Sequence, residues 1–272
     1  MTKADAKITA KRTMQNNVAK ADLVLILNLF VFFVFSDSAL ILSELFTRNS
    51  FYEPVASFMG KTAFNFTALF VSVLVFILSV IVLAAMRFGR EFWFWQRSNF
   101  EFAPFTLIFT GFGALLKNSL LWLKLKIFSL CWYLAFLSPA LLIGGFIYYL
   151  SLNSLSLVVF YALLSVAVLL GIIGTLFGFV VVQRYAVSYY ALFDNSDLTT
   201  KQAINESKRI MSGNEIKTAM LKLSFWGWFI TCLLIAPSFY VLPYYKLSCA
   251  VFLRHLYFSE GKIHWHSLKI RI

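Results

Sequence analysis

The sequence predicts an all-α membrane protein, a bundle of six transmembrane helices with interfacial cytoplasmic helices and both termini in the cytoplasm. Of its 272 residues, 60% are hydrophobic and 13% are charged, whereas soluble domains carry about 25% charged residues. Apolar segments of about 20 residues, the length that crosses a bilayer, recur along the chain. Basic residues gather between alternate segments, as they do on the cytoplasmic side of membrane proteins.

The six predicted spans form one membrane domain, 23–258, between a basic N-terminal segment, 1–22, and a basic tail, 259–272. The third span is expected to bend near Pro139. The last two share one apolar run, which Pro237 and Pro243 are expected to break into a hairpin, because proline lacks an N–H and disfavours helix in the preceding residue. The predicted spans are 23–46, 63–86, 127–150, 157–182, 219–236 and 243–258.

The net charge of +12 has two explanations. In a soluble protein it would indicate nucleic-acid binding, but in a membrane protein it indicates a cytoplasmic surface that faces anionic lipid. With the N-terminus inside, the six spans place every Lys and Arg on that side except Arg48, Lys61 and Lys246. We therefore expect a bilayer with anionic headgroups as the partner, and no nucleic acid.

A cleaved signal peptide is the alternative for the first span, since the apolar core 23–35 is short and follows basic residues. Cleavage after Ala39 would put Asp37 at a position that requires a small side chain, and the apolar pattern resumes at Ala39. The pattern therefore favours a retained helix.

Asp37 and Glu44 share one face of this first helix, with Asp37 in the outer half of the membrane. Ionisable groups inside a membrane are candidate functional groups, so Asp37 is a candidate proton or cation site. The alternatives are a hydrated helix end, or pairing of the acids with Arg48 or Lys61.

Three cytoplasmic segments are expected to form interfacial helices: 87–97 ("RFGREFWFWQR"), 116–128 and 199–211. The third has clear end signals. Thr199 and Gln202 have the spacing of a capping box, and Gly213 suits the position just past the C-terminus. Between them Ala203, Ser207 and Ile210 make a weak apolar stripe.

The residues after Gly213 lead from this surface helix into the membrane. Lys217 and Lys222 are expected to lie at the headgroups, with Trp226 and Trp228 a turn or so deeper. Gly227 between them is expected to let another helix come close. In the third and fourth spans, glycines are expected to allow close packing in the same way: Gly144, Gly145, Gly171, Gly174 and Gly178.

Catalytic motifs are absent from the sequence, which contains no G-x-S-x-G, P-loop, H-E-x-x-H or dinucleotide fingerprint. The three cysteines fit no disulfide framework or metal site and are expected to be buried apolar side chains. His264 and His266 would hold a metal only with a third ligand. We therefore expect no catalytic residue, no cofactor and no metal.

Two stretches resemble a family of bacterial multi-pass membrane proteins catalogued as domain of unknown function 975. They are "AINESKRIMSGNEIKTAMLKLSFWGWF", from Ala203, and "LPYYKLSCAVFLRHLY", from Leu242; "RYAVSYYALFDN", from Arg184, is also similar. Glu215, Ile216 and His255 depart from the family pattern. The resemblance implies a six-helix bundle in a bacterial plasma membrane, similar in architecture to the membrane domain of some glycerophosphodiester phosphodiesterases. No catalytic residue carries over from that domain.

The first functional expectation is a non-enzymatic scaffold or accessory subunit of a transport, secretion or envelope system, docking a membrane protein partner through 87–97 and 199–211. The alternative is a small permease or exporter for amphipathic peptides, lipids or ions. No span carries the ladder of polar residues typical of a solute pathway, which counts against it. A lipid-modifying enzyme is a third, weaker option. The candidate functional residues are Asp37, Lys208, Arg209, Gly213, Asn214, Gly227, Trp228, Pro243 and Tyr244.

Overall fold

The computed structural model describes residues 1–14, 18–47, 61–99, 103–151, 156–232 and 235–269, with side chains except those of 35–69, 72, 235–236 and 260–269. These residues are helical and contain no strand, which confirms the all-α prediction. The α-helices are α1 (Lys3–Met14), α2 (Val18–Thr47), α3 (Lys61–Arg97), α4 (Leu115–Ser151), α5 (Leu157–Val182), α6 (Ser188–Asp194), α7 (Thr200–Met211), α8 (Glu215–Leu223), α9 (Trp226–Thr231) and α10 (Ile235–Lys269). Two 3-10 helices, Phe105–Ala114 and Gln183–Tyr185, precede α4 and follow α5.

Three helical stretches of the described chain are long and apolar enough to cross a membrane: Val73–Arg97, Phe105–Ser151 and Leu157–Asp194. A fourth is counted if the bent pair Lys3–Met14 and Val18–Val34 forms one span. The expected membrane association is therefore supported by the structure. Six spans and cytoplasmic termini stay predictions.

The predicted break of the last apolar run is wrong at Pro243, because α10 continues through it. Pro237 is the third residue of α10, in the first turn, where its missing N–H has no partner within the helix in any case. Pro243 lies inside the helix and removes one backbone hydrogen bond. Its neighbours on the same helix, Val241 and Leu247, are buried, so packing offsets that loss.

Two of the predicted interfacial segments are parts of longer helices. Residues 87–97 are the last third of α3, and 116–128 are the start of α4, which continues through Pro139. The fourth predicted span, 157–182, has the same bounds as α5.

The described chain forms two compact units. The first contains Met1–Lys7, Leu121–Thr231 and Val251–Ile272, and the second contains Ile8–Leu120 and Cys232–Ala250.

In the first unit α4 and α5 pack closely at two of the predicted glycines. A Cβ on Gly174 would overlap the carbonyl oxygen of Phe136, and one on Gly178 would press into the ring of Tyr133. Close packing is confirmed there. The same expectation is wrong at Gly144 and Gly145, where a Cβ would meet no described atom within 4 Å.

In the second unit two glycines set the contact between α3 and the 3-10 helix Phe105–Ala114. A Cβ on Gly111 would overlap the carbonyl oxygen of Ala85 in α3, and one on Gly89 would overlap that of Ile108. The two backbones therefore touch directly. Neither glycine was among those predicted to allow close packing.

Two buried polar side chains hold this contact. The indole Nε1 of Trp93 donates to the carbonyl oxygen of Ala103 at 3.2 Å. The side-chain amide of Asn118 donates to the carbonyl oxygen of Gly111 at 2.8 Å. Because both side chains are buried, these bonds satisfy groups that would otherwise lose their hydrogen bonds to water.

Candidate functional site

The candidate site is the junction, defined as residues 183–225, from the end of α5 to the start of α9. Local sequence determines where its central helix, α7, begins and ends. The Gln202 N–H donates to Thr199 Oγ1 at 3.3 Å, and the Thr199 N–H donates to Gln202 Oε1 at 2.8 Å. Gly213 has φ +81°, a left-handed conformation that glycine adopts without a Cβ clash. The predicted capping box and stop are both confirmed.

Ser207 ties α7 to the chain that leaves α5. Its side chain is fully buried, and its hydroxyl donates to the carbonyl oxygen of Arg184 at 2.8 Å. The Ser207 hydroxyl oxygen also accepts from the backbone N–H of Val187 at 3.2 Å. A single serine thus satisfies two backbone groups outside its own helix. The predicted stripe is confirmed, since Ala203 and Ile210 are also buried.

Asn214 organises the turn between α7 and α8. Its side chain is buried; the amide donates to the carbonyl oxygen of Ile210 at 3.4 Å and Oδ1 accepts from Lys217 Nζ at 2.9 Å. Its own carbonyl oxygen accepts from the Thr218 hydroxyl at 3.0 Å. The Gly213–Asn214 pair therefore sets the direction in which α8 departs.

Two polar contacts join α8 to the end of α5. Lys222 Nζ donates to Gln183 Oε1 at 2.6 Å, and Arg184 pairs with Glu215 at 3.1 Å. Gln183 is buried, so Lys222 satisfies an acceptor that has little access to water. Lys217 and Lys222, predicted to lie at the headgroups, thus both have acceptors within the protein.

Lys208 lies over an aromatic shelf, defined as Phe128 and Tyr185. The two rings stack with centroids 5.6 Å apart, and Lys208 Nζ is 5.5 Å and 5.6 Å from them, within cation–π range. Trp132 Nε1 donates to the Tyr185 hydroxyl at 3.0 Å. The lysine is exposed but held in place.

Arg209, the other basic candidate on α7, forms a salt bridge with Glu206 on the same helix. Four of the predicted candidate residues lie at the junction, as is expected of neighbours in the sequence: Lys208, Arg209, Gly213 and Asn214. The contributions of Gln183 and Tyr185 were missed, because they depend on partners far away in sequence.

An apolar stripe runs along the outer side of α8, made of Ile216, Met220 and Leu223, at the i, i+4, i+7 spacing of one helix face. Trp226 and Trp228 in α9 are exposed as well. The close helix approach expected at Gly227 is wrong, because a Cβ there would meet no described atom within 4 Å.

The remaining candidates lie elsewhere. Pro243 is buried and Tyr244 half-buried in α10, within the second unit, where the Tyr244 ring centroid is 5.9 Å from that of Tyr240. Asp37 belongs to α2, but its side chain lies outside the described residues. So do the side chains of Glu44, His264 and His266.

The second unit contains a charged cluster that the sequence analysis missed. Glu91 Oε1 accepts from Lys246 Nζ at 2.9 Å and from Arg90 Nη2 at 3.0 Å. Lys246 was one of three basic residues that the predicted topology left outside the cytoplasmic side. Its contact places it beside 87–97, a segment that the same predicted topology put on the cytoplasmic side. No local pattern reveals this pair, because 155 residues separate its members.

Metal ligands do not gather in the described chain, where no group of three or more His, Cys, Asp and Glu is placed to hold an ion. The three cysteines form no disulfide bond among the described residues. Cys249 is buried as expected, but Cys131 is exposed and Cys232 is half-buried, so the expectation of three buried cysteines is wrong for these two.

The family comparison covers nearly the whole chain. The model of the family described as "Protein of unknown function (DUF975)" matches residues 1–259. No curated protein and no solved structure matches the chain. The architectural relation to the glycerophosphodiester phosphodiesterase membrane domain stays a prediction. The matched range contains the three candidate spanning helices and the junction. The chain therefore belongs to the DUF975 family of proteins of unknown function.

Proposed function

We propose that the chain is a multi-pass protein of a bacterial plasma membrane that acts by association. In this proposal it is a non-enzymatic scaffold or an accessory subunit of a transport, secretion or envelope system. The docking surface is the outer face of α7 together with its C-cap residue, defined as Lys201, Asn205, Lys208 and Ser212.

The observation that carries the proposal is the contrast between the two faces of α7. Ala203, Ser207 and Met211 on the inner face are fully buried, and Ser207 is bonded to the backbone beside α5. The four residues of the outer face are all exposed, and their spacing of i, i+4, i+7 and i+11 aligns them along the helix. The inner face holds α7 in place, and the polar, exposed outer face is therefore suited to bind a protein partner.

Preorganisation supports this assignment. Ordering a long side chain at an interface costs about 0.5–1.5 kcal/mol, and the aromatic shelf already restricts Lys208. The capping box and Gly213 fix the two ends of the helix in the same way. The other segment expected to dock, 87–97, presents no fully exposed side chain, so the proposal uses α7 alone.

The test is charge reversal of the docking surface. The full chain carrying Lys201→Glu and Lys208→Glu is extracted gently from its native membrane, at native expression level, and the proteins that accompany it are identified by mass spectrometry. Lys11→Glu with Arg12→Glu is the matched control, since both side chains are exposed on α1 and the charge change is equal. A partner kept in stoichiometric amount by the wild type and the control, and lost from the α7 variant, supports docking. Equal partners in all three chains contradict it.

A small permease or exporter for amphipathic peptides, lipids or ions is the second candidate. The half-buried Glu91–Lys246 pair favours it, because ionisable groups among apolar helices are frequent in transport pathways. The test is solute movement in proteoliposomes. pH-dependent flux that is lost in Glu91→Gln or Asp37→Asn supports transport, and full function of both variants in cells counts against it.

A further inference from the structure

The charged cluster of the second unit is unbalanced. It consists of Glu91 with Arg90 and Lys246, both in direct contact with the carboxylate, and of Arg87, which lies close enough to act electrostatically on it. Side chains of Glu91, Arg90 and Lys246 are 18%, 18% and 26% exposed. Three cations therefore share one carboxylate in a setting with little water, and the cluster keeps an excess of positive charge.

The same cluster contains hydrogen-bond donors that the described protein does not use. The Nε atoms of Arg87 and Arg90 are buried and have no hydrogen-bond partner among the described residues. Buried donors are nearly always paired, and each exception calls for an explanation. An anion with several oxygens would accept from both guanidinium groups and offset the excess charge.

The position of the cluster on α3 indicates which anions could reach it. The residues from Val73 to Met86 include no charged side chain, and the cluster begins with Arg87, directly after them. It therefore lies at the end of a helix that is apolar enough to span the membrane. Phospholipid phosphates lie at this depth. The stacked rings of Phe92 and Trp95, 5.8 Å apart, follow in the same helix, and such rings are typical of the membrane–water interface.

We propose that Arg87, Arg90 and Lys246 form a phosphate-binding site for the headgroup of an acidic phospholipid or for free inorganic phosphate. Guanidinium groups bind phosphate oxygens through paired N–H donors, and Lys246 adds a point charge. Glu91 holds Arg90 and Lys246 in place from one side. This site lies in the second unit and does not depend on docking through α7, so either proposal can fail alone.

The test uses the purified full chain in detergent after lipid removal, probed separately with phosphatidylglycerol, phosphatidylcholine and sodium phosphate. Binding is measured by native mass spectrometry and by the shift in melting temperature. We expect phosphatidylglycerol to bind about 10-fold more tightly than phosphatidylcholine, and Arg87→Gln to remove about 10-fold of that affinity, as loss of a charge-assisted hydrogen bond predicts. Arg12→Gln, an exposed arginine of the same unit, is the control and should bind like the wild type.

The two phosphate sources give different results. If sodium phosphate at millimolar concentration stabilises the wild type and not Arg87→Gln, the ligand is free phosphate; if only phosphatidylglycerol does so, it is a headgroup. Should Arg87→Gln fail to fold, Arg87→Lys keeps the charge and loses the Nε donor, and we expect a roughly 3- to 10-fold loss. Three results would overturn the proposal. The Arg87 variant that folds could bind like the wild type, or Arg12→Gln could lose as much affinity as the Arg87 variant. The third is a wild type that binds phosphatidylglycerol no more tightly than phosphatidylcholine and is not stabilised by sodium phosphate.

Discussion

Replacement of Ser207 by alanine tests the central contact of the junction. The substitution removes a buried hydroxyl that donates to the Arg184 carbonyl at 2.8 Å and accepts from the Val187 N–H at 3.2 Å. The N–H is then buried without its partner, which costs about 1–3 kcal/mol. For a chain of this size each kcal/mol lowers the melting temperature by about 2–4 °C. We therefore expect Ser207→Ala to melt roughly 2–12 °C below the wild type.

The assay is thermal unfolding of the purified chain in detergent, followed by near-ultraviolet circular dichroism at a fixed heating rate. Ser212→Ala is the matched control, because it makes the same chemical change on the exposed side of the same helix end and should melt within about 1 °C of the wild type. If Ser207→Ala melts with the wild type and the control, Ser207 does not connect α7 to the end of α5 as described.

Three further substitutions test the fold by the same melting measurement. Gly111→Ala forces a Cβ into the carbonyl oxygen of Ala85, and we expect a loss of about 1–3 kcal/mol; wild-type melting would refute the direct backbone contact. Lys222→Met leaves the buried Gln183 amide oxygen without its Nζ donor, for an expected loss of about 1–3 kcal/mol, and no change would contradict that bond. Gly213→Ala, at φ +81°, should cost about 1–2 kcal/mol, and an unchanged or higher melting temperature would exclude the left-handed stop.

Local signals in the sequence predicted the junction well. The capping box at Thr199, the stop at Gly213 and the bounds of α5 all depend on residues within a few positions of one another. Such short-range preferences act whatever the rest of the chain does. This is why the ends of α7 and its apolar stripe could be predicted before any packing was known.

The errors arose where packing between distant residues decides the structure. Pro243 reads locally as a break, yet buried neighbours keep α10 continuous around it. Gly227 is a small residue of the kind that allows close helix contacts, but no described helix approaches it. The ion pair of Glu91 and Lys246 could not be predicted from the sequence. Its members are 155 residues apart, and only the packing of α3 against α10 brings them together.

Photocrosslinking from the docking surface tests directly whether a partner protein binds α7. A photoreactive amino acid replaces Asn205, which is exposed at the centre of the α7 face, and crosslinks are formed in living cells. The control position is Val158, which is exposed near the start of α5, roughly 36 Å along that helix from its end at the junction. We expect one discrete protein adduct at Asn205 that is absent at Val158 and lost with Lys201→Glu and Lys208→Glu. No protein adduct at Asn205, or the same adducts at both positions, would contradict it.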